Sequence, residues 1–530
     1  MKRLLTLLCL LGLLQPLSAT QPNVVLIVCD DLNDFITDMD GHPQALTPNL
    51  RRLAESGVSF RHAYANNPVC APSRSSFLTG IYPHDSKNFS FDKWYQNPVL
   101  ENSKTLMEHF SDNGYYVTGS GKLMHHHLRK TWQHFEHQAD YGPMAFDGEK
   151  PVVHPSVPAP FNTLGKVIGT YAPLSDVPFK DSDNPDAGWV YTVKPETGWK
   201  PTYKKLRYSS ETDRDPTPDE RNALWAADQI TQLTEQTDDQ PFFLAVGFIR
   251  PHTPLVAPKE FFDLFPLDTV KIPTIQPNDL SDTHYVEALS RKKPNGKFEE
   301  RKGFKHFRLL KESYSSPEEG LKAFTQAYLA CIAAADANIG RVLDAVDNSP
   351  ERDNTIIVFV SDHGWHMGEK NFIAKSTLWE ESTRIPFIVR APGVSAAGQI
   401  AEQPISLIDL YPTLIDLCSL QGDTRKNSKG AALGGYSIRP FLRDPKNGTW
   451  DGSDAAISVI YAGADSNNKP ERQHWSVRTE RWRYIHYNNG QEELYDHDID
   501  SNEWKNLADN PEFKQVKKEL QARLPSPAGI

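Results

Sequence analysis

The run Asn23-Val-Val-Leu-Ile-Val-Cys29 is short, apolar and rich in β-branched residues, and it ends on two adjacent carboxylates, Asp30 and Asp31. Such a run predicts a buried parallel strand with the acids at its carboxyl end. The same grammar recurs. Thr355-Ile-Ile-Val-Phe-Val-Ser361 ends at Asp362-His363-Gly364, Phe242 to Phe248 ends near Arg250-Pro251-His252, and Ile385 to Val389 ends at Arg390-Ala391-Pro392-Gly393. Helical patterns lie between these runs. The clearest extends from about Pro317 to Val346, with Leu321, Phe324, Tyr328, Ile332, Ala335, Ile339 and Val346 on one stripe. Strands alternating with helices predict an α/β sheet. Sheets of this class bind ligands just beyond the carboxyl ends of their strands, so the ends carrying Asp30-Asp31, Asp362-His363 and His252 are expected to meet in one cleft.

Residues 141–207 are rich in Pro, Gly, Trp and Tyr without periodicity, which predicts long loops over that cleft. A break at Arg443 to Ser453 divides a large α/β region, residues 20–445, from a small C-terminal α+β domain, residues 446–530. In the latter, alternating segments at Trp475 to Arg478 and Trp482 to Tyr487 precede a terminal helix. At the other end, Lys2 and Arg3, the apolar stretch Leu4 to Leu14 and the exit Leu17-Ser18-Ala19 read as a secretory signal peptide, residues 1–19. An exported protein, periplasmic or extracellular, is therefore expected. The stretch is far shorter than the roughly 20 apolar residues that cross a bilayer, and no later segment approaches that length, so no stable membrane insertion is expected. With 530 residues and 38% hydrophobic content the chain can bury a large core, which excludes a disordered polypeptide. Cys29, Cys70, Cys331 and Cys418 lack the density and spacing of a disulfide framework or a zinc site. The net charge is -11, and removing Lys2 and Arg3 takes it to -13. Such a field repels nucleic acid, and an anionic substrate would have to meet local cations.

Cys70-Ala71-Pro72-Ser73-Arg74, followed by Leu78-Thr79-Gly80, resembles the formylglycine signature of type I sulfatases, a family of the alkaline phosphatase superfamily. The likeness runs from Asn23 to roughly Trp504 and is closest to the iduronate-2-sulfatase branch. It implies an α/β fold with a large central mixed, mostly parallel sheet flanked by helices, and a Cys70 oxidised to formylglycine by a maturase. On the residue alone, Cys70 reads as a small buried hydrophobe. The resemblance also implies a calcium site formed by Asp30, Asp31, Asp362 and His363 with the oxygen of residue 70; several carboxylates suit a hard cation. Many relatives have Asn or Gln where His363 stands, and the iduronate-2-sulfatase branch is similar to this chain in using His. Taken alone, Asp30-Asp31 also fits a solvated turn, although Asp362-His363 repeats its position at another strand end.

Gly121-Lys122-Leu123-Met124-His125 matches the family's Gly-Lys-x-x-His variant and so assigns catalytic roles to Lys122 and His125. The adjoining His126 and His127 leave the register open; they fit solvated loop residues or weak metal binders. Arg250-Pro251-His252-Thr253-Pro254 resembles the family's Lys/Arg-Pro-His-x-Pro segment, which puts His252 at the leaving oxygen. Lys375, in Phe372-Ile-Ala-Lys-Ser376, resembles the second sulfate-binding lysine; without the likeness it reads as a surface charge. Lys122, His252 and Lys375 are thus the expected substrate contacts.

Cleaving a sulfate monoester builds negative charge on the leaving and equatorial oxygens. A metal with Lys122, Lys375 and Arg74 would meet that charge, and losing one such contact commonly costs about 3 kcal/mol of barrier. In the scheme the resemblance implies, one hydroxyl of a formylglycine hydrate attacks sulfur and the other later expels sulfate. His125 takes a proton from the hydrate and His252 gives one to the alcohol, roles that suit groups titrating near neutrality. The basic stretch Arg291, Lys292, Lys293, Lys297, Arg301, Lys302, Lys305, Arg308 and Lys311 fits either a landing strip for a sulfated polysaccharide or a solvated loop. Trp189, Tyr191, Trp199 and Tyr203 fit either sugar stacking or buried loop anchors. Hydrolysis of sulfate esters on a sulfated glycan is the expected activity. Two other readings stay open: a phosphoesterase or phosphonate monoester hydrolase of the same superfamily, and a glycan-binding protein whose Cys70 remains a thiol.

Overall fold

The computed structural model describes residues 21–193, 201–236, 240–290 and 295–525. The signal peptide assigned to residues 1–19, Trp199, and Arg291, Lys292 and Lys293 of the basic stretch lie outside the described residues.

Asn23–Asp30 is a strand with every residue buried. Val25, Ile27 and Cys29 enter one core, and Val24, Leu26 and Val28 enter a second core on the opposite face. Two covered faces explain why the run is apolar at successive positions. Phe242–Pro251 and Thr355–Ser361 flank it, both parallel to it. The sheet has eight strands in the order Gln399–Ala401, Val58–Phe60, Phe387–Arg390, Thr355–Ser361, Asn23–Asp30, Phe242–Pro251, Tyr116–Gly121 and His134–Gln138. All share one direction except Phe387–Arg390, which is antiparallel to both neighbours. This is the mixed, mostly parallel sheet that the resemblance implies. The run Ile385 to Val389, grouped in sequence with the parallel strands, is the reversed one. Its Arg390 pairs with Ile357 near the start of the neighbouring strand and binds Asp347 at 2.6 Å, away from Asp362.

Helices cover both faces. Pro48–Ser56, Pro218–Thr234 and the 31-residue Pro317–Asp347 pack on one; Cys70–Thr79, Leu106–Asp112 and Leu410–Cys418 pack on the other. Pro218–Thr234 begins at a capping box in which Thr217 and Glu220 satisfy each other's backbone N–H groups, and Ser316 caps Glu319 N at the start of the long helix.

Residues 141–207 contain more regular structure than the loops expected there. Met144–Phe146, Gly188–Val193 and Thr202–Leu206 form an antiparallel three-stranded sheet. These strands are short, and a long excursion separates the first from its partner, so no sequence period reveals them. Trp189 is fully buried, with Nε1 donating to the Leu174 carbonyl at 2.8 Å, which makes it a loop anchor and removes it from sugar stacking.

Ala456–Ile460, His474–Arg478, Trp482–His486 and Glu492–Asp496 form a four-stranded antiparallel sheet packed against the helix Lys514–Gln521. Buried charges join this smaller α+β unit to the large sheet. Glu380 accepts from Arg483 and from Arg478 at 3.1 Å, while Glu503 accepts from Glu380 N at 2.9 Å and pairs with Arg483 and His497. Phe372, Leu378 and Trp379 pack against Ile460, Ile485, Tyr487 and Tyr495, so the segment carrying Lys375 rests on the C-terminal sheet.

Candidate active site

Parallel strand ends place the acids, one lysine and one histidine. Lys122 directly follows Tyr116–Gly121. Gly121 has φ +84°, and a Cβ on Gly247 of the adjacent strand would lie 2.1 Å from the Lys122 carbonyl oxygen. Only glycine permits that approach, which fixes where Lys122 leaves the sheet. Asp31 is left-handed at φ 62°, a conformation that Asp tolerates better than most residues. Three hydrogen bonds hold the turn: Asp31 N to Asp362 Oδ1 at 3.2 Å, Tyr328 OH to Asp31 O at 2.7 Å, and His252 N to Asp30 O at 3.1 Å.

Cys70 is the first residue of the helix Cys70–Thr79, all of which is buried. Pro72 falls in the first turn, where a missing N–H leaves no helical bond unmade. Ser73 N closes that turn on Val69 O at 3.0 Å, and its hydroxyl donates to the Asp362 carbonyl at 2.6 Å. Gly80, left-handed at φ 70°, ends the helix by donating to Ser76 O at 2.8 Å. The positive helix end therefore faces residue 70 and favours negative charge there.

Arg74 is wholly buried. Nε donates to Asp362 Oδ2 at 2.8 Å, Nη2 lies 3.5 Å from Asp30 Oδ1, and the remaining arms meet the carbonyls of Lys122, Leu123 and Cys29. Its fork is spent on the protein's own acceptors. Arg74 thus braces the acids.

The ligand atoms of Asp30, Asp31, Cys70 and His363 lie within 4.8 Å of one another. Asp362 sits beside them, its Oδ1 3.6 Å from His363 Nε2. Cys70 Sγ, standing where formylglycine would present oxygen, is 3.3 Å from His363 Nε2 and 2.8 Å from Lys375 Nζ. Lys375 also binds Asp31 Oδ1 at 2.5 Å, and Lys122 binds Asp30 Oδ2. His252 Nε2 is 3.6 Å from Asp31 Oδ2.

Burial works against every charge here, and neighbours decide the outcome. It would raise Asp30, yet Lys122, His252 and Arg74 hold that carboxyl well below its usual range. It raises Asp31 to about 7 despite Lys375. Burial pushes His252 and His363 below the usual imidazole range. Both lysines stay above their usual values against the same penalty, Lys122 through Asp30 and Lys375 through Asp31. Asp30 Oδ1 and Asp31 Oδ2 are buried and accept no hydrogen bond. Two such oxygens fit a hard divalent cation, while the His363 nitrogen beside them would also suit a borderline one.

Residues 22–420 match the sulfatase family, and residues 368–528 match the N-sulphoglucosamine sulphohydrolase C-terminal family. A sulfatase of Formosa agariphila is 31% identical over 510 residues, covering 95% of this chain and 86% of the relative. The chain belongs to the sulfatase family. It is accordingly a sulfuric ester hydrolase. Mouse iduronate 2-sulfatase is 29% identical over 430 residues, 75% of this sulfatase and 69% of its own length. A solved structure containing D-glucosamine-2-N,6-O-disulfate as substrate superposes with a TM-score of 0.62 at 20% identity, over 95% of this chain and 97% of the other. At that identity the superposition shows a shared fold.

The three consecutive histidines of this sulfatase have different neighbours. His125 lies toward the acids: burial and then Lys122 drive it down to about 3, and Asp30 and Arg74 also act on it. His126 offers its carbonyl to Trp94 Nε1 at 2.8 Å, and the His127 ring lies 4.2 Å from that of Phe135.

Sequence reasoning missed Tyr141, Tyr328 and Phe91. Lys122 Nζ is 4.9 Å from the Tyr141 ring, which lies edge-on to His252 at 5.0 Å. Tyr328 counted only as an apolar stripe position, although a buried tyrosine hydroxyl requires a partner. Phe91 lies edge-on to His125 at 5.1 Å; no sequence signal distinguishes it from a loop residue. It lines a cleft of about 540 Å³ that also takes in His252, Lys375, Trp365, Arg301 and His306.

Proposed function

We propose that this sulfatase hydrolyses sulfate esters on a sulfated glycan, with Cys70 matured to formylglycine and calcium held by Asp30, Asp31, Asp362, His363 and residue 70. The main support is the meeting of two lysines and His252 around Cys70 at the positive end of a buried helix. Support for a glycan comes from the relatives: iduronate 2-sulfatase is named for a sugar acid, and the glucosamine disulfate complex shares the fold. A cleft of about 540 Å³ is in the size range of pockets that enclose a small organic ligand. The signal-peptide reading makes the enzyme exported, periplasmic or extracellular, and makes a maturase a partner during export. No helix among the described residues is long and apolar enough to cross a membrane.

Formylglycine would supply a hydrated aldehyde as nucleophile, and calcium would supply positive charge that favours its ionised form. Lys122 and Lys375 rest on Asp30 Oδ2 and Asp31 Oδ1; once those oxygens are engaged elsewhere, both ammonium groups can turn to the sulfate oxygens. His252 donates from Nδ1 to the Thr253 carbonyl at 2.5 Å, which leaves Nε2 for the leaving oxygen; as an imidazolium it would give the Nε2 proton to the alcohol and return to the neutral ring. His125, kept neutral, can accept a proton, and an anionic substrate nearby raises its basicity. Arg74 holds Asp30 and Asp362 in register throughout.

Parallel assays of sulfate, phosphate and phosphonate release from matched esters test this reading. Sulfate release should dominate, and Cys70→Ala should lose at least about 10⁴-fold in turnover with an unchanged circular dichroism spectrum. Faster phosphonate or phosphate release would overturn it. So would an intact Cys70 thiol, by peptide mass spectrometry, in fully active enzyme.

A further inference from the structure

Away from the sulfate pocket, the cleft climbs a wall made by the start of the helix Lys302–Glu312 and by the segment carrying Lys375. Direct bonds tie that wall to the reaction centre. Tyr285 OH donates at 2.9 Å to the carbonyl of Ser376, the residue after Lys375, and His306 Nδ1 donates at 3.0 Å to the carbonyl of Ile373. Arg301 lies 5.9 Å from the centroid of the same Tyr285 ring, and its Nη1 donates to the Leu289 carbonyl at 3.0 Å. The tyrosine that holds the Lys375 segment thus also positions this guanidinium. No carboxylate pairs with Arg301 among the described residues.

The charges on the wall sort by sign. Lys302 lines the cleft too. Glu300 is taken by Arg308 at 2.8 Å, which leaves Glu299 as the opposing acid and the wall net positive on an acidic protein. On the side of His125, Phe91 is 52% exposed and lines the same space. An unneutralised guanidinium anchored on an aromatic ring, with a second ring exposed nearby, suits a sugar that carries an acidic group.

We infer that Arg301 is a specificity-determining residue that pairs with a second anionic group of the substrate, a carboxylate or a further sulfate. That group lies on the sugar bearing the scissile sulfate or on its neighbour, and Phe91 packs on the sugar's apolar face. The inference rests on the glycan sulfatase reading. Either anion meets the planar fork of Arg with two parallel hydrogen bonds, so the choice between them falls to the substrate panel.

The test uses the matured enzyme with its Arg301→Gln and Arg301→Lys variants on four substrates. These are an aryl sulfate, a disaccharide with the scissile sulfate alone, and matched disaccharides with an added carboxylate or an added sulfate. Wild type should prefer one doubly anionic disaccharide, which names the group. Arg301→Gln should raise KM for it about 10- to 100-fold, the size of a lost charge-assisted hydrogen bond, with kcat within about twofold. Arg301→Lys should recover part of the loss, and all three enzymes should turn over the aryl sulfate alike. Wild type that cleaves disaccharides without preference, or Arg301→Gln with unchanged KM, overturns the inference and leaves the glycan reading standing. An equal loss on the aryl sulfate also overturns it. Wild type active on the aryl sulfate and on none of the disaccharides overturns both.

Discussion

Lys375 pairs with Asp31 Oδ1 at 2.5 Å, and Asp31 is also one of the acids that would hold a metal. A metal and this ammonium group therefore compete for the same oxygen. Lys375→Ala should lower kcat/KM for sulfate esters about 10²- to 10³-fold, while calorimetric calcium affinity stays level or rises because the competitor is gone. Calcium affinity lost together with activity would contradict this division of labour. Chelation should lower the thermal midpoint reversibly, since a ligand present at a hundredfold excess over its Kd contributes about 2.7 kcal/mol; a midpoint indifferent to calcium would remove the metal from the account. At this scale the sequence was informative about which residues meet and silent about what each one touches. Arg74 illustrates the gap: its motif position was plain, but its enclosure by four hydrogen-bond acceptors and the Asp30 carboxylate depends on strands and loops remote in the chain.

Among elements, the strand pair meeting at Gly121 and Gly247 sets the geometry of the site most directly. Gly247→Ala would drive a methyl group into the Lys122 carbonyl. The strands must then part or shift, at a typical cost of about 1–3 kcal/mol, and Lys122 must move with them. Loss of kcat/KM beyond any loss of fold is expected, read by comparing thermal midpoints with turnover. The central strands were legible because burial on both faces leaves an apolar run ending in acids. The direction of Phe387–Arg390 was not, since a doubly buried run reads the same whichever way it is laid. Trp189 looked like a possible sugar platform because composition does not say which side of a loop faces inward.

For the molecule as a whole, the joint between the large sheet and the C-terminal unit is ionic and buried. Burial would raise Glu380 and Glu503, but Arg478 and Arg483 pull Glu380 well below the usual glutamate range, and Arg483 and His497 lower Glu503. Carboxylates depressed in the folded state contribute stability that is complete above their unfolded pKa, about 4.5, and is lost as pH falls through the folded values. Denaturation midpoints should therefore drop as pH falls below about 4.5. Glu380→Gln should flatten that dependence and cost about 3–5 kcal/mol at neutral pH, since Arg478 and Arg483 are left facing a neutral amide. A variant as stable as wild type with the same acid profile would show that the joint lies elsewhere. The last third was legible as an α+β unit through its alternating segments. Its hold on the active site was not, because Glu380 and its arginine partners stand about a hundred positions apart.

That joint has a consequence in time. Polypeptides are made from the amino end, so position 70 emerges well before Arg478, Arg483 and Glu503, on which the Lys375 segment depends for its seat. A chain shortened in its final third would lack the surface on which Phe372, Leu378 and Trp379 rest, and with it the seat that holds Lys375 over the Cys70 thiol.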